Sequence, residues 1–155
     1  MLYDEKGGRH PTVSPHGIYG FFDDYRFLSN FHICDVYYKG FVYKSSEAAY
    51  MSCKTNDFSI KTQLTSMSPN EAKKFGQTIE LIPDWEYVRV LSMTEVVFAK
   101  FNQNQDLTER LINFTRNKYL EETNDWNDLF WGANSMGKGV NMLGKILMSV
   151  RDQLL

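Results

Sequence analysis

The chain is short of the residues that would staple a small protein or hold a metal. It has two cysteines, Cys34 and Cys53, without CxxC spacing. Its three histidines, His10, His16 and His32, lie near the N-terminus with no HExxH motif or carboxylate cluster beside them. These absences argue against a zinc site, a redox pair and a protein-held catalytic metal, and the two thiols are expected to be reduced. Long apolar runs are also missing, since no stretch approaches the roughly 20 residues of a membrane span. The opening Met-Leu-Tyr-Asp-Glu-Lys-Gly-Gly lacks the charged-then-apolar order of a signal peptide, so the expected compartment is the cytoplasm. Positive charge is not in excess either. Lys+Arg number 17 against 19 Asp+Glu, a net charge of −2, which excludes a basic shell that coats DNA indiscriminately and leaves room only for a local patch.

What remains is ordinary for a folded domain. Of 155 residues 43% are hydrophobic and 23% charged, enough to bury a core without disulfides. Residues 1–16 are polar, hold two of the four prolines and are expected to form a loose lead-in. Residues 17–155 are expected to form a single domain of the α+β class, mainly helical with a small antiparallel sheet. The β-formers of Gly17–Phe22 predict a strand, and Cys34–Tyr38 with Phe41–Tyr43 around Lys39-Gly40 predict a hairpin.

Helical signals follow. Ser45 or Ser46 can cap a helix to about Lys54, because a serine oxygen accepts from the otherwise unpaired amides of a first turn. Ser68-Pro69 begins another, with Gly76 read as its stop. Asp84 is placed to cap a helix from Trp85 to about Phe101, and Asp106 with Glu109 resembles a capping box ahead of Leu107, Leu111 and Phe114. Leu143, Ile146, Leu147, Val150 and Leu154 mark the face of a last helix. Between Tyr119 and Asn141 turn-formers and carboxylates surround Trp126 and Trp131, a composition more typical of a site than of a linker.

Several residues suit chemistry. Glu47 falls in a helix first turn, where a carboxylate is favoured by the dipole, and Lys54 lies on the same face at i+7. Glu121, Glu122, Asp125 and Asp128 place four acids in eight positions. Trp85 and Arg89 stand one helical turn apart, a pairing suited to a stacked base or a phosphate and equally to ordinary packing. Gly132, Gly137 and Gly139 precede the last helix, whose first amides suit a phosphate, although they match no phosphate-loop fingerprint. Residues 44–77 carry five lysines (Lys44, Lys54, Lys61, Lys73, Lys74) against three acids, a local excess that suits a phosphate or a solvated helix face.

Taken in order, these segments resemble the YbiA-like family, also called NADAR. The likeness runs from about Ile18 to Arg151. It is carried by the Phe21–Phe31 stretch, Tyr43-Lys44-Ser45-Ser46-Glu47-Ala48-Ala49-Tyr50 with Lys54, Ala72-Lys73 with Gly76, and Trp85 with Arg89 and Met93. It continues through Lys100-Phe101 with Asn104, Glu122, Trp126–Gly132 and Gly139-x-Asn141-x-Leu143-Gly144 to Leu147-Met148 and Arg151. One departure is Ala48, where many members carry histidine.

The resemblance implies an N-glycosidase that cuts the bond between a ribose C1 and a nitrogen. The implied substrates are a riboflavin-pathway ribosylamino-pyrimidine phosphate or an ADP-ribose conjugate such as ADP-ribosylated guanine, including guanine in nucleic acid. It points to Glu47, Trp85 and Asp128. The expected division of labour is Glu47 and Asp128 as acid and charge stabiliser, with Lys54 as an alternative amine nucleophile. Trp85 and Trp131 are expected to stack, Arg89 and Lys73 to meet phosphate, and Asn30 and Asn141 to bond ribose hydroxyls. No cofactor and no metal are expected. The rival readings are a module that binds ADP-ribose or a related nucleotide without cleaving it, and a domain that takes a peptide.

Overall fold

Seven short strands and six α-helices follow one another in a mainly helical α+β chain, here a computed structural model describing residues 1–155. The strands are β1 (Leu2–Tyr3), β2 (Arg9–His10), β3 (Thr12–Val13), β4 (Gly17–Tyr19), β5 (Val36–Tyr38), β6 (Phe41–Tyr43) and β7 (Tyr119–Glu121). The helices are α1 (Ser46–Ser52), α2 (Phe58–Leu64), α3 (Pro69–Gly76), α4 (Trp85–Asn102), α5 (Gln105–Thr115) and α6 (Met142–Leu154), with a 3-10 helix over Asp23–Leu28. No helix is long and apolar enough to cross a membrane. The chain divides into two compact units, Asn30–Gln105 and the pairing of Met1–Ser29 with Asp106–Leu155.

The Asn30–Gln105 unit is built around α1, all seven of whose residues are buried. Ser45 caps it as read, its Oγ accepting from the Ala48 amide at 3.1 Å. The β5–β6 hairpin forms with Lys39 and Gly40 at positive φ, the conformation a tight two-residue turn requires. A helix not foreseen, α2, is started by Asp57, whose Oδ1 accepts from Ser59 and Ile60. The Ser68/Glu71 capping box is complete in both directions. α3 ends at Gly76 as read, with the glycine its last residue rather than one past the end, and a Cβ there would meet the Met51 sulfur at 2.0 Å, so the Met51 side chain would have to move for α3 to keep its approach to α1. Asp84 precedes α4 without a side-chain cap bond, a correction, since its backbone is not in the extended conformation that aims a capping oxygen.

In the other unit residues 1–16 are not a loose lead-in. β1 pairs β2 and β3 pairs β4, both antiparallel, because the backbone of this polar segment finds partners that its composition does not advertise. The strand read over Gly17–Phe22 stops at Tyr19, before Gly20 at φ +94°. β7 lies parallel to β4 within the stretch taken as a loop, so the sheet work is three small sheets, one of them mixed, rather than a single antiparallel one. Helix α5 begins at Gln105, which places Asp106 inside its first turn rather than at its cap. Buried Arg151 closes the other end of α5 by donating to the carbonyls of Thr115 and Lys118.

His10 joins this unit together through Asp4 on one ring nitrogen and Asp23 on the other. Both carboxylates favour the imidazolium and raise the His10 pKa. A raised histidine pKa gives a contribution to stability that is complete below about 6.5, the unfolded value, and is lost as pH rises through the folded value. An NMR titration of His10 is therefore expected to give a midpoint above about 6.5, falling toward it in Asp4→Asn. An unshifted midpoint in the wild-type protein contradicts the pairing.

Candidate active site

The first turn of α1 sets the centre of the site. The Glu47 amide donates to the Asn30 carbonyl at 3.1 Å, and Ser46 Oγ donates to Asn30 Oδ1 at 2.8 Å. The Asn30 amide nitrogen points to the Met93 sulfur. Asn30 thus links Glu47 and Ser46 to Met93 within the unit, its amide nitrogen keeping a second N–H beyond the Met93 contact.

From there α1 and the turn after it bring Glu47, Tyr50 and Lys54 into one electrostatic neighbourhood; α1 stops at Ser52, short of the Lys54 expected to end it. Glu47 is 9% exposed, low for a carboxylate. Burial pushes the Lys54 amine down from its ordinary value, and the Glu47 charge pulls it partly back. Burial pushes the Tyr50 hydroxyl up, with Arg89 opposing and Glu47 adding. Tyr50 packs against Trp85 with ring centroids 5.3 Å apart. Trp85 and Arg89 come from the first turns of α4, and Arg89 Nε stands 3.4 Å from Glu86. Lys54 Nζ donates to the carbonyl of Gly76 at the end of α3. Five of the expected residues (Asn30, Glu47, Lys54, Trp85, Arg89) therefore belong to a single unit, with Tyr50 between them. Tyr50 lies on the Glu47–Lys54 face and could have been ranked higher on that ground alone. Lys73 is in the same unit, exposed on α3, with its amine 5.8 Å from the Phe31 ring centroid.

Asp128, Trp131 and Asn141 belong to the other unit. Asp128 Oδ1 accepts from the amides of Phe130 and Trp131, and Trp131 meets the Phe130 ring edge-on. Asn141 is 2% exposed, and its amide reaches Tyr119 Oη, the Leu120 carbonyl and the Glu122 amide. Its hydrogen-bonding capacity goes to tying β7 to α6, which removes it as a ribose contact. The α6 amides are likewise not open to phosphate. Asn141, Met142 and Leu143 donate to the carbonyls of Gly132, Phe130 and Trp131.

A separate cavity of about 250 Å³ in the Asn30–Gln105 unit is lined by Tyr38, Cys53, Asn56, Lys61, Ser92 and Glu95 among others. Burial raises the Cys53 thiol, so it is not a ready nucleophile.

The NADAR domain family model matches residues 15–155, and the chain belongs to that family. It is 33% identical over 135 residues to N-glycosidase YbiA of Escherichia coli, covering 85% of this chain and 83% of that one. An N-glycosidase of Nostoc punctiforme is 33% identical over 150 residues, 95% of this chain and 85% of its own. A riboflavin biosynthesis protein of Vibrio vulnificus is 33% identical over 136 residues, 85% of this chain and 36% of that protein. The NMR structure of Escherichia coli YbiA is similar with a TM-score of 0.77 at 32% identity, over 88% of this chain and 82% of the other.

Proposed function

We propose that this protein is an N-glycosidase that hydrolyses the C1–N bond of a ribosylated base or an ADP-ribose conjugate. The observation that carries the reading is Glu47, a nearly buried carboxylate on the first turn of α1, within electrostatic reach of an amine whose charge is disfavoured and flanked by an aromatic pair and a guanidinium. Two relatives of nearly full coverage are named N-glycosidases, which supports the same chemistry. Because the family match spans both units, residues 15–155 are taken to act as one catalytic domain.

When the C1–N bond breaks, its electron pair leaves with the nitrogen and positive charge builds on C1 and the ring oxygen. A carboxylate beside C1 stabilises that charge, an acid delivers a proton to the departing nitrogen, and water supplies the oxygen that ends on C1. In the Asn30–Gln105 unit Glu47 takes one of these roles, Trp85 supplies a stacking surface for the base, and Arg89 and Lys73 meet a phosphate. Asp128 and Trp131 are the candidates for the acid-base and stacking roles that belong to the other unit. Candidate substrates are ADP-ribosylated guanine and a ribosylamino-pyrimidine phosphate. Incubation with each, followed by detection of the freed base and sugar, tests the proposal. Release from either supports it. Tight binding of ADP-ribose with no release from either substrate makes the protein a binding module instead.

Lys54 offers a second route that its lowered pKa favours. When the sugar ring opens, C1 is held to the base nitrogen as an imine; the neutral Lys54 amine adds to C1, the C1–N bond to the base breaks as that nitrogen leaves with a proton, and water hydrolyses the resulting Lys54–C1 imine to free sugar and amine. Borohydride added during turnover should then trap the sugar on Lys54 as a mass increment on the peptide containing it, with the yield rising as pH rises and the amine loses its proton. No adduct at any pH removes Lys54 as nucleophile and leaves it as a charge near Glu47.

A further inference from the structure

The Trp126 indole is the one conspicuous aromatic of the sequence that the catalytic reading does not use. It sits at the tip of a short loop closed by a single side chain. Asn124, 1% exposed, accepts from the Asp128 amide through Oδ1 at 3.1 Å and donates to the Asp128 carbonyl at 2.9 Å. That double contact ties residue 124 to residue 128 and leaves Asp125, Trp126 and Asn127 projecting, with Asn127 at φ +64° turning the chain back.

Residues of the N-terminal hairpin then immobilise the tip. Arg9 Nε contacts both Asp125 oxygens, at 3.1 and 3.0 Å, and Arg9 Nη2 lies 3.0 Å from Oδ1. Tyr3 Oη donates to the same carboxylate at 2.6 Å. So held, the Arg9 guanidinium lies over the Trp126 ring, 5.3 Å from its centroid. One face of the indole is thereby occupied by a cation, which also favours electron-rich stacking on the ring system. Trp126 nevertheless remains 45% exposed. A large apolar ring left that open, on a loop tied at both ends and clamped by a bidentate ion pair, has already lost the side-chain freedom that a binding event would otherwise have to remove. Tyr3 and Arg9 precede residues 15–155, which the family model matches.

We propose that the open face of Trp126, backed by the Arg9–Asp125 pair, is a stacking platform for the nitrogen heterocycle of the substrate, and so a specificity-determining residue for the base. The inference rests on the N-glycosidase reading, because such a substrate must carry a nitrogen base, and the platform stands two residues from Asp128. A flat ring suits the surface because the indole offers one planar face and no surrounding groove. Base-on-aromatic stacking is worth about 1–3 kcal/mol, which converts to about 5- to 150-fold in affinity.

The test is a pair of titrations of the full chain, followed by intrinsic tryptophan fluorescence and calorimetry. Guanosine 5′-monophosphate carries the heterocycle and ribose 5-phosphate lacks it. In the wild-type protein the nucleotide is expected to quench tryptophan emission. Trp126→Ala should weaken the nucleotide by about 5- to 150-fold and leave ribose 5-phosphate unchanged, Trp126→Tyr should restore most of the loss, and Arg9→Ala should produce a smaller loss. Because Trp126 is exposed, the alanine variant is expected to keep the wild-type Tm, which is measured alongside. Equal nucleotide affinity in the wild type and Trp126→Ala overturns the platform, as does no nucleotide binding by the wild type at millimolar concentration. A loss that is the same for both ligands also overturns it. Glu47→Gln separates the two readings: it should bind the nucleotide like the wild type while losing hydrolysis. Unimpaired hydrolysis in Glu47→Gln and Asp128→Asn counts against the catalytic assignment and leaves the platform standing.

Discussion

Glu47→Gln is expected to lower the rate of C1–N cleavage by about 10²- to 10⁴-fold with little change in folding. The replacement keeps size and shape in a nearly buried position and removes only the charge, so the contacts of the α1 backbone with Asn30 and the Ser45 cap persist. A lost contribution of that order is what one well-placed charge or proton donor supplies when it acts mainly in the transition state. The change carries a second signature. Glu47 is what partly restores the Lys54 amine against the effect of burial, so its neutralisation should move the Lys54 pKa further down. A pH profile whose basic limb shifts to lower pH in the residual activity of Glu47→Gln would report that coupling. Asp128→Asn is the companion measurement, since an asparagine oxygen can still accept from Phe130 and Trp131 and hold the loop. Wild-type rates in both variants would remove carboxylate catalysis from the account.

The largest effect on stability is expected at Gly144, on α6. A methyl group there would meet the Leu120 carbonyl oxygen at 2.1 Å and the Asn141 amide at 2.4 Å. Leu120 is fully buried in β7, and its carbonyl is backbone, so it cannot swing aside as the end of a long side chain could. Alanine gains about 1 kcal/mol of helix propensity over glycine, while overpacking of this kind costs up to about 3 kcal/mol. The strain wins. Gly144→Ala is expected to lose about 2 kcal/mol and to lower Tm by about 4–8 °C in a chain of this length. Ser149→Ala, on the exposed side of the same helix, is the control and should leave Tm unchanged or slightly higher. An unaltered Tm for Gly144→Ala would mean that α6 can move away from β7 at little cost.

Local chemistry was legible wherever a residue acts on its near neighbours. Ser45 and the Ser68/Glu71 pair could be read because a cap bond spans only three residues, and the Lys39-Gly40 hairpin because its turn needs positive φ at two adjacent positions. The same reasoning misjudged Asp84 and Asp106, where the residue type was right and the backbone conformation or helix start was not. Asn30 and Asn141 show the limit for polar side chains. Their type suits a sugar hydroxyl as well as a backbone group, and only the structure shows which partners each meets within the fold.

The sequence by itself determined the α+β, mainly helical class, the helix that carries Glu47, and the family, because periodicity, caps and the order of motifs are written along the chain. Tertiary structure alone decided what depends on residues distant in sequence. The parallel pairing of β4 with β7 joins segments about a hundred residues apart, and no local pattern encodes a partner at that separation. Gly76 and Gly144 read as helix punctuation or as nothing until Met51 and Leu120 are seen against them. The clamp of Tyr3 and Arg9 on Asp125 joins a polar N-terminal segment to a loop more than a hundred residues away. In each case the deciding interaction is a contact between surfaces, and a contact exists only once the chain has brought both of its sides together.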